Sequence, residues 1–322
     1  KMNLDRLKPY DLQLSLLKCP DRKYTYEDTL INISASYASM APAFQEIFLQ
    51  TATSGSIDLY PNPEGGKRPG GYCQDMCALN RHALIFMNYK GLIDDQRTLT
   101  HEMGHAINFY LMSSNVDYLY CTGTEYEMEI PSTFNEELFV DYALANYDRD
   151  TALAVLADSI NDYINYFTFQ PMITEFEEAA HDLCRQKGNV SGRELNQLWT
   201  SLSRQYRTSL VDYYAEDNAQ WTYVSHIYFT NNYYTFSYAL SKAVTLSLFK
   251  MYKEDPEKFN GNYAAYLSAG SSMTPQEKLK EFFGIEIDRR LFEDAMDVVE
   301  KRVEQLEQLE AQMNSSPRSD EI

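Results

Sequence analysis

The stretch His101-Glu-Met-Gly-His105 is the most informative part of this sequence, because it places two histidines four residues apart with a glutamate directly after the first. Asp94 and Asp95 precede it at the position expected of an N-cap, and the pattern predicts a helix that continues to about residue 112. On a helix, residues four apart project from the same face. Both imidazoles can therefore reach one ion, which predicts a metal site on this helix.

These five residues match the H-E-x-x-H pattern, in which two histidines bind zinc and the glutamate serves as a base. His101 and His105 are predicted to bind one Zn²⁺ per chain at about 2.0–2.1 Å. Glu102 is predicted to be catalytic, because it lies close enough to take a proton from a water activated by that zinc. The chain has five histidines. Two of them at this spacing on a predicted helix favour the zinc interpretation over ordinary core or surface histidines.

A catalytic zinc needs a third protein ligand and one open position. One class of such enzymes uses a histidine six residues after the second one, with glycine three residues before it, but those positions hold Leu111 and Asn108. A carboxylate on a following helix is then expected, and the candidates are Glu125, Glu127 and Glu129. Glu125 and Glu129 share a helical face, so one can bind zinc while the other supports it. Spacing alone leaves both arrangements open.

The composition limits the classes of partner. The 322 residues carry 28 Lys and Arg against 47 Asp and Glu, a formal net charge of −19. Such a charge repels phosphate and anionic membrane surfaces, so neither nucleic acid nor a membrane is an expected partner. The apolar stretches are too short to span a bilayer, which predicts a soluble protein. Five scattered cysteines form a poor disulfide framework and predict free thiols in the cytoplasm.

The remaining sequence predicts a mainly α-helical fold with a small β-sheet beside the zinc helix. A capping pattern at Thr25 and Asp28 predicts a helix over residues 25–52. The sheet is expected near residues 57–90, with a strand at 83–88, and most of the chain after about residue 124 is predicted to be helical. The last predicted helix covers about 288–313, and residues 315–322 are predicted to be a disordered tail.

The stretch Met128-Glu-Ile-Pro-Ser-Thr-Phe-Asn-Glu136 resembles the third-ligand segment of the thimet oligopeptidase and oligoendopeptidase F family of zinc metallopeptidases. Further similar stretches follow in the family's order and cover nearly the whole chain: Ile57–Pro61, Gly70–Tyr72, the strand before the zinc helix, Phe176–Leu195 and Leu267–Gly270. The resemblance implies a helical, zincin-type catalytic domain over residues 1–314. The family's N-terminal helical half is absent from this sequence.

The resemblance also implies roles for single residues. It makes Glu129 the third zinc ligand, in preference to a thermolysin-like arrangement in which Glu125 binds zinc and Glu129 stands behind it. It makes Glu136 the carboxylate that orients a zinc histidine. The segment Ser225–Ala239 is similar to a late helix of the family, so His226 and Tyr238 are expected to be catalytic, as donors to the oxyanion of the tetrahedral intermediate.

In the family, a glycine-rich loop and a strand edge line a deep channel for unstructured peptides. Here these features correspond to residues 63–72 and the strand at 83–88, where an extended peptide can pair through its backbone. The candidate peptide-binding residues are Gly70, Gly71, Tyr72, Tyr233 and Tyr234.

The expected function is therefore zinc-dependent endopeptidase cleavage of short, unstructured oligopeptides. Expected partners are the peptides themselves and either the missing N-terminal half or a partner chain that supplies the other channel wall. The alternative is a peptide-binding or scaffold protein on a catalytically weak peptidase fold.

Overall fold

A computed structural model describes residues 6–8, 11, 22–79, 82–207, 211–212, 214, 216–229 and 233–315. Most of these residues are helical, which confirms the predicted fold class. Within them the α-helices are α1 Tyr26–Ser36, α2 Pro42–Thr53, α3 Ile93–Asn115, α4 Glu125–Asn146, α5 Arg149–Ile164, α6 Gln170–Lys187, α7 Gly192–Tyr206, α8 His226–Phe229, α9 Tyr234–Glu254, α10 Pro256–Ser268, α11 Pro275–Phe283 and α12 Arg289–Ser315.

The described residues contain one three-stranded sheet, made of β1 Ile57–Asp58, β2 Tyr72–Gln74 and β3 Leu84–Phe86 in the order β1-β3-β2. β1 runs parallel to β3, and β2 runs antiparallel to it. The predicted strand at 83–88 is thus the central one. The expectation that it offers a free edge is wrong, because strands pair with it on both sides. β2 is the strand that follows the glycine-rich loop and forms an outer edge.

The chain divides into two compact units. The larger unit comprises Cys19–Ser159 and Ser241–Ile322, and the smaller unit comprises Lys1–Lys18 and Ile160–Leu240. The core of the smaller unit forms where α6 meets α7, with the ring of Phe176 5.1 Å from that of Trp199. A single catalytic domain over residues 1–314 stays a prediction. Of the predicted tail, Ser315 ends α12, and residues 316–322 lie outside the described residues.

In the larger unit, α3 and α4 approach unusually closely at Gly104. A Cβ atom at this position would lie 2.4 Å from the Pro131 carbonyl oxygen and 2.5 Å from the Ser132 Cα. Real Cβ contacts are longer than this, so glycine is required for the two helices to meet here. The crossing sets the position of α3 against α4.

An aromatic cluster continues the core of the larger unit away from this crossing. The Phe134 ring on α4 lies 4.6–5.9 Å from the rings of Phe249, Tyr252, Phe259 and Tyr263 on α9 and α10. Aromatic rings at these distances pack favourably in edge-to-face or offset geometries. The cluster therefore ties α4 to the two later helices.

Two predicted helix boundaries differ from the structure. The helix predicted over 25–52 is two helices, because Pro42 begins α2 after a break at residues 37–41, and proline is accepted in a first helical turn. Asp94 and Asp95 lie inside the first turn of α3, where Leu92 is the N-cap. The Asp95 carboxylate accepts hydrogen bonds from the backbone N–H groups of Leu92 and Lys90 at 2.8 and 2.7 Å.

The cysteine prediction is wrong for one pair, since Cys77 and Cys121 form a disulfide. The two residues are 44 positions apart, and the fold rather than the spacing brings them together. Cys73 and Cys184 are free thiols, and Cys19 lies outside the described residues. The disulfide removes the cysteine argument for a reducing compartment, and a cytoplasmic location stays a prediction.

Across the described residues, every helix is too short or too polar to cross a lipid bilayer.

Candidate metal centre

Helix α3 presents its two histidines side by side. The ring centroids of His101 and His105 are 5.0 Å apart, and both side chains are mostly buried. The four-residue spacing places them on one face of the helix, as the sequence predicted. The Nε2 atoms of both rings point towards the same carboxylate on α4.

That carboxylate belongs to Glu129. Its Oε2 atom lies 3.5 Å from His101 Nε2 and 3.6 Å from His105 Nε2, and the ligand atoms of the three residues all lie within 4.8 Å of one another. Ligand atoms of a tetrahedral site with bonds of about 2.0–2.1 Å are about 3.3–3.4 Å apart. Glu125, one helical turn earlier, does not belong to this group among the described residues. The geometry thus favours Glu129 over Glu125.

A hydroxyl group on α4 contacts the Glu129 side chain. Ser132 Oγ lies 3.1 Å from the Glu129 carboxylate and 2.8 Å from its backbone carbonyl, so its one proton is shared between the two oxygens. The contact with the carboxylate restricts the rotation of a prospective metal ligand. Sequence reasoning missed this function of Ser132. The spacing of three residues between Glu129 and Ser132 could have indicated it, because residues three apart on a helix are neighbours on its surface.

Glu102 lies beside the three residues and is itself buried. Burial is the largest cause that raises the pKa of Glu102 to about 7, against the lowering effect of His101. Its Oε2 atom is buried without a hydrogen-bond partner among the described residues. A buried carboxylate oxygen without a partner is costly, and a water or a substrate group in the site would satisfy it.

Glu136 supports His101 from the other side of its ring. Its Oε1 atom lies 2.7 Å from His101 Nδ1, which leaves Nε2 facing Glu129. Burial opposes a charge on His101, but the hydrogen bond to Glu136 and the nearby carboxylates raise the pKa of His101 to about 9. Burial lowers the pKa of His105 to about 4. Burial alone would raise the pKa of Glu136, but Lys242 and His101 lower it to about 2.

The predicted peptide-binding loop lies next to Glu102. A Cβ atom on Gly71 would be 3.4 Å from Glu102 Oε1, so β2 begins at the site. The side chain of Asn88 holds the loop by donating to the backbone carbonyl of Gly70 at 2.8 Å. Tyr72 is exposed and stacks on Phe86, with ring centroids 4.6 Å apart. The structure thus places Gly70, Gly71 and Tyr72 on one strip of backbone beside the predicted base.

The other predicted residues lie together in the smaller unit. Tyr238 OH is 3.4 Å from His226 Nε2, and the ring of Tyr234 stacks on the imidazole with centroids 5.4 Å apart. Burial lowers the pKa of His226. Tyr233 has a φ of 62°, and its backbone N–H donates to the buried carboxylate of Glu177 at 3.0 Å. The structure therefore groups His226, Tyr234 and Tyr238.

The larger unit thus combines two imidazoles, one carboxylate and the buried Glu102 oxygen, which has no hydrogen-bond partner in the described part of the chain, within one small volume. Imidazole nitrogens and a carboxylate oxygen are the usual ligands of a catalytic zinc ion, and three protein ligands leave one position open. The residues present fit a zinc ion on this donor set. His101, Glu102 and His105 also match the H-E-x-x-H pattern.

Comparison with known proteins identifies the family of the chain. Residues 1–298 match the model of Peptidase family M3. The chain is 26% identical over 310 residues to oligopeptidase PepF of Bacillus subtilis, covering 96% of this chain and 45% of that protein. It is 28% identical over 317 residues to group B oligopeptidase PepB of Streptococcus agalactiae, covering 96% and 51%. The chain spans about half the length of the curated relatives it matches.

Solved structures share the fold. Oligoendopeptidase F from Enterococcus faecium superposes with a TM-score of 0.69 at 22% identity, covering 96% of this chain and 47% of that one. A structure titled PZ peptidase A with inhibitor 2 gives a TM-score of 0.77 at 22% identity, covering 94% and 53%. The family match and the oligopeptidase relatives confirm the resemblance seen in the sequence. This chain belongs to peptidase family M3.

Proposed function

We propose that this chain carries the zinc-dependent catalytic centre of an oligopeptidase that hydrolyses short, unstructured peptides. The observation that supports this most strongly is the group of His101, His105 and Glu129, whose ligand atoms lie within 4.8 Å of one another beside Glu102. These three side chains would hold one zinc ion. When bound, the zinc supplies a Lewis acid that makes water a usable nucleophile near neutral pH.

The chain's own residues divide the remaining work. Glu102, with a pKa of about 7, takes a proton from the attacking water and later passes it to the leaving amine. Glu136 accepts a hydrogen bond from His101 Nδ1 and so fixes the ring that binds the zinc. Among the described residues β2 is an outer strand, and its outer edge would offer backbone groups to an extended peptide, which gives affinity with little dependence on side chains.

From the family resemblance we also propose that His226 and Tyr238 donate hydrogen bonds to the oxyanion of the tetrahedral intermediate. Their mutual distance of 3.4 Å and the lowered pKa of His226 supply a neutral imidazole and a phenol in one cluster. His226→Ala or Tyr238→Phe should reduce turnover by about 10²- to 10³-fold with zinc content unchanged. Tyr233, Tyr234 and the loop residues Gly70, Gly71 and Tyr72 remain proposed peptide contacts.

The proposed function is tested with Glu102→Gln. The variant should keep about one equivalent of zinc and lose about 10²- to 10⁴-fold in cleavage of a quenched-fluorescence peptide, because only proton transfer is removed. Glu125→Gln is the matched control, since it makes the same chemical change one helical turn before Glu129 and should keep both zinc and cleavage. Equal cleavage by Glu102→Gln would contradict the mechanism. A wild-type chain that binds the peptide without cleaving it would support the scaffold alternative.

A further inference from the structure

A chain of buried charges leads from the candidate metal centre to the last helix. It begins at His101, passes through Glu136 on α4 to Lys242 on α9, and returns to Glu137 on α4 before reaching Arg302 on α12. Lys242 Nζ lies 3.5 Å from Glu136 Oε2 and 3.0 Å from Glu137 Oε1. One ammonium group therefore bridges two consecutive carboxylates.

Three of these groups are almost completely withdrawn from water. Lys242 is 1% exposed, Glu137 is 0% exposed and Arg302 is 3% exposed. Arg302 also contacts Asp141 at 2.7 Å, and Lys253 contacts the other oxygen of that carboxylate at 2.7 Å. Buried charges are retained only when they are paired and hydrogen-bonded, so the loss of one partner leaves an uncompensated charge. Lys242 is the positive charge that faces both Glu136 and Glu137.

The position of Lys242 relative to His101 gives it a specific effect on the metal centre. Glu136 uses Oε1 for His101 and turns Oε2 towards Lys242, so its two oxygens are held from opposite ends. A carboxylate held at both oxygens cannot rotate about its last bond without losing one contact. His101 Nδ1 is hydrogen-bonded to Oε1 of this carboxylate. The orientation of the imidazole, and with it the direction of its Nε2 atom, is therefore set by the same restraint.

We propose that Lys242 is a positioning residue of the metal centre, which acts on the bound zinc through Glu136 and His101 without touching zinc or peptide. The proposal rests on the function proposed above. Lys242 is distant in sequence from the H-E-x-x-H motif, and α9 brings it to Glu136 only through the packing of the larger unit. The expected result of losing it is a mobile Glu136 carboxylate and a less well oriented His101.

The test compares Lys242→Met with Lys278→Met. Lys278 is the matched control because it is also a buried lysine that pairs with an α4 glutamate, Glu127, at 2.6 Å, but has no contact with Glu136 among the described residues. Both variants lose a buried positive charge. Only Lys242→Met should weaken zinc binding, by about 10- to 100-fold in a chelator competition. It should also change the visible spectrum of the Co²⁺-substituted protein, which reports ligand geometry.

A second variant separates positioning from folding. In Lys242→Met/Glu137→Gln one of the two carboxylates that Lys242 faces is neutralised together with the ammonium group, so the net charge is that of the wild type. Stability should then recover part of the loss while zinc binding stays weak. Lys242→Arg keeps the positive charge at this position and should bind zinc with most of the wild-type affinity.

The proposal is overturned if Lys242→Met keeps the wild-type zinc affinity and an unchanged Co²⁺ spectrum. If that variant fails to fold, the same result in the double variant overturns it. An equal loss of zinc affinity in Lys278→Met would also overturn it. If the wild type binds zinc and cleaves peptide, and Lys242→Met does both equally well, only this inference is overturned. If the wild type binds no zinc, both this inference and the proposed function are overturned.

Discussion

At the scale of single residues, the two histidines of α3 share a helix face but have different electrostatic surroundings. Glu136 and the neighbouring carboxylates raise the pKa of His101 to about 9, whereas burial lowers the pKa of His105 to about 4. Without a metal at pH 8, His101 therefore holds a proton and His105 does not. Glu102, with a pKa of about 7, is mostly ionised at that pH. Zinc binding must displace the proton of His101, because a metal ligand is a neutral imidazole.

This difference predicts proton release. At pH 8, zinc binding to the metal-free protein should release about one proton, measured by calorimetry in buffers of different ionisation enthalpy. Zinc affinity should fall as the pH drops below about 9, since the proton competes for His101. Glu136→Gln removes the main cause of the raised pKa of His101, so it should release clearly less than one proton. Release of equal numbers of protons by the wild type and the variant would contradict the assignment of the displaced proton to His101.

The spacing of His101, Glu102 and His105 was enough to predict their grouping, because residues four apart on a helix meet without help from the rest of the fold. Glu129 and Glu125 could not be separated in that way. They lie one turn apart on α4, and only the position of α4 against α3 brings Glu129 to the histidines. Lys242 left no local signal, since its contact with Glu136 depends on the packing of α9.

At the scale of elements, the crossing of α3 and α4 at Gly104 sets the metal-ligand geometry. Gly104→Ala should lower the free energy of unfolding by about 1–3 kcal/mol, because the added methyl group forces the two helices apart. It should also weaken zinc binding, since α3 carries both histidines and α4 carries Glu129. Urea unfolding and a chelator competition measure the two effects.

The control is Gly261→Ala on α10, where an added Cβ meets nothing within 4 Å. That change should be neutral or stabilising by about 0.5–1 kcal/mol, because alanine is the better helix former. Unchanged stability and zinc affinity in Gly104→Ala would show that the crossing tolerates a side chain.

The disulfide predicts a second effect at this scale. Cys77 and Cys121 close a loop of 44 residues that includes α3. Cys77→Ser should lower the free energy of unfolding by about 2–4 kcal/mol, measured by urea unfolding without reductant. Cys184→Ser, at an exposed free thiol, should have no effect. If peptide mapping without reduction finds Cys77 and Cys121 both alkylated, the pair is not bonded in the protein.

The element-scale predictions failed where tertiary contacts decide. The cysteine pair is joined by the fold, which a count of cysteines cannot show. The strand at 83–88 was found by its apolar run, but its central position depends on β1 and β2, which are only two and three residues long. Strands this short carry almost no periodic signal.

At the scale of the whole molecule, the sequence predicted a mainly helical chain, and the structure adds its division into two compact units. His101, Glu102, His105, Glu129, Glu136 and Lys242 all belong to the larger unit, whereas His226 and Tyr238 belong to the smaller one. The chain is about half as long as its curated relatives. Because the proposed zinc ligands come from one unit, we expect this chain to bind zinc without any additional segment.

The central claim is tested most directly by an anomalous difference map at the zinc absorption edge, from crystals of the zinc-loaded chain. The account predicts one strong peak bonded to Nε2 of His101, Nε2 of His105 and the carboxylate of Glu129, at about 2.0–2.2 Å from each. A peak bonded to Glu125 in place of Glu129 would support the thermolysin-like arrangement. A peak elsewhere, or none between the two histidines, would contradict the claim.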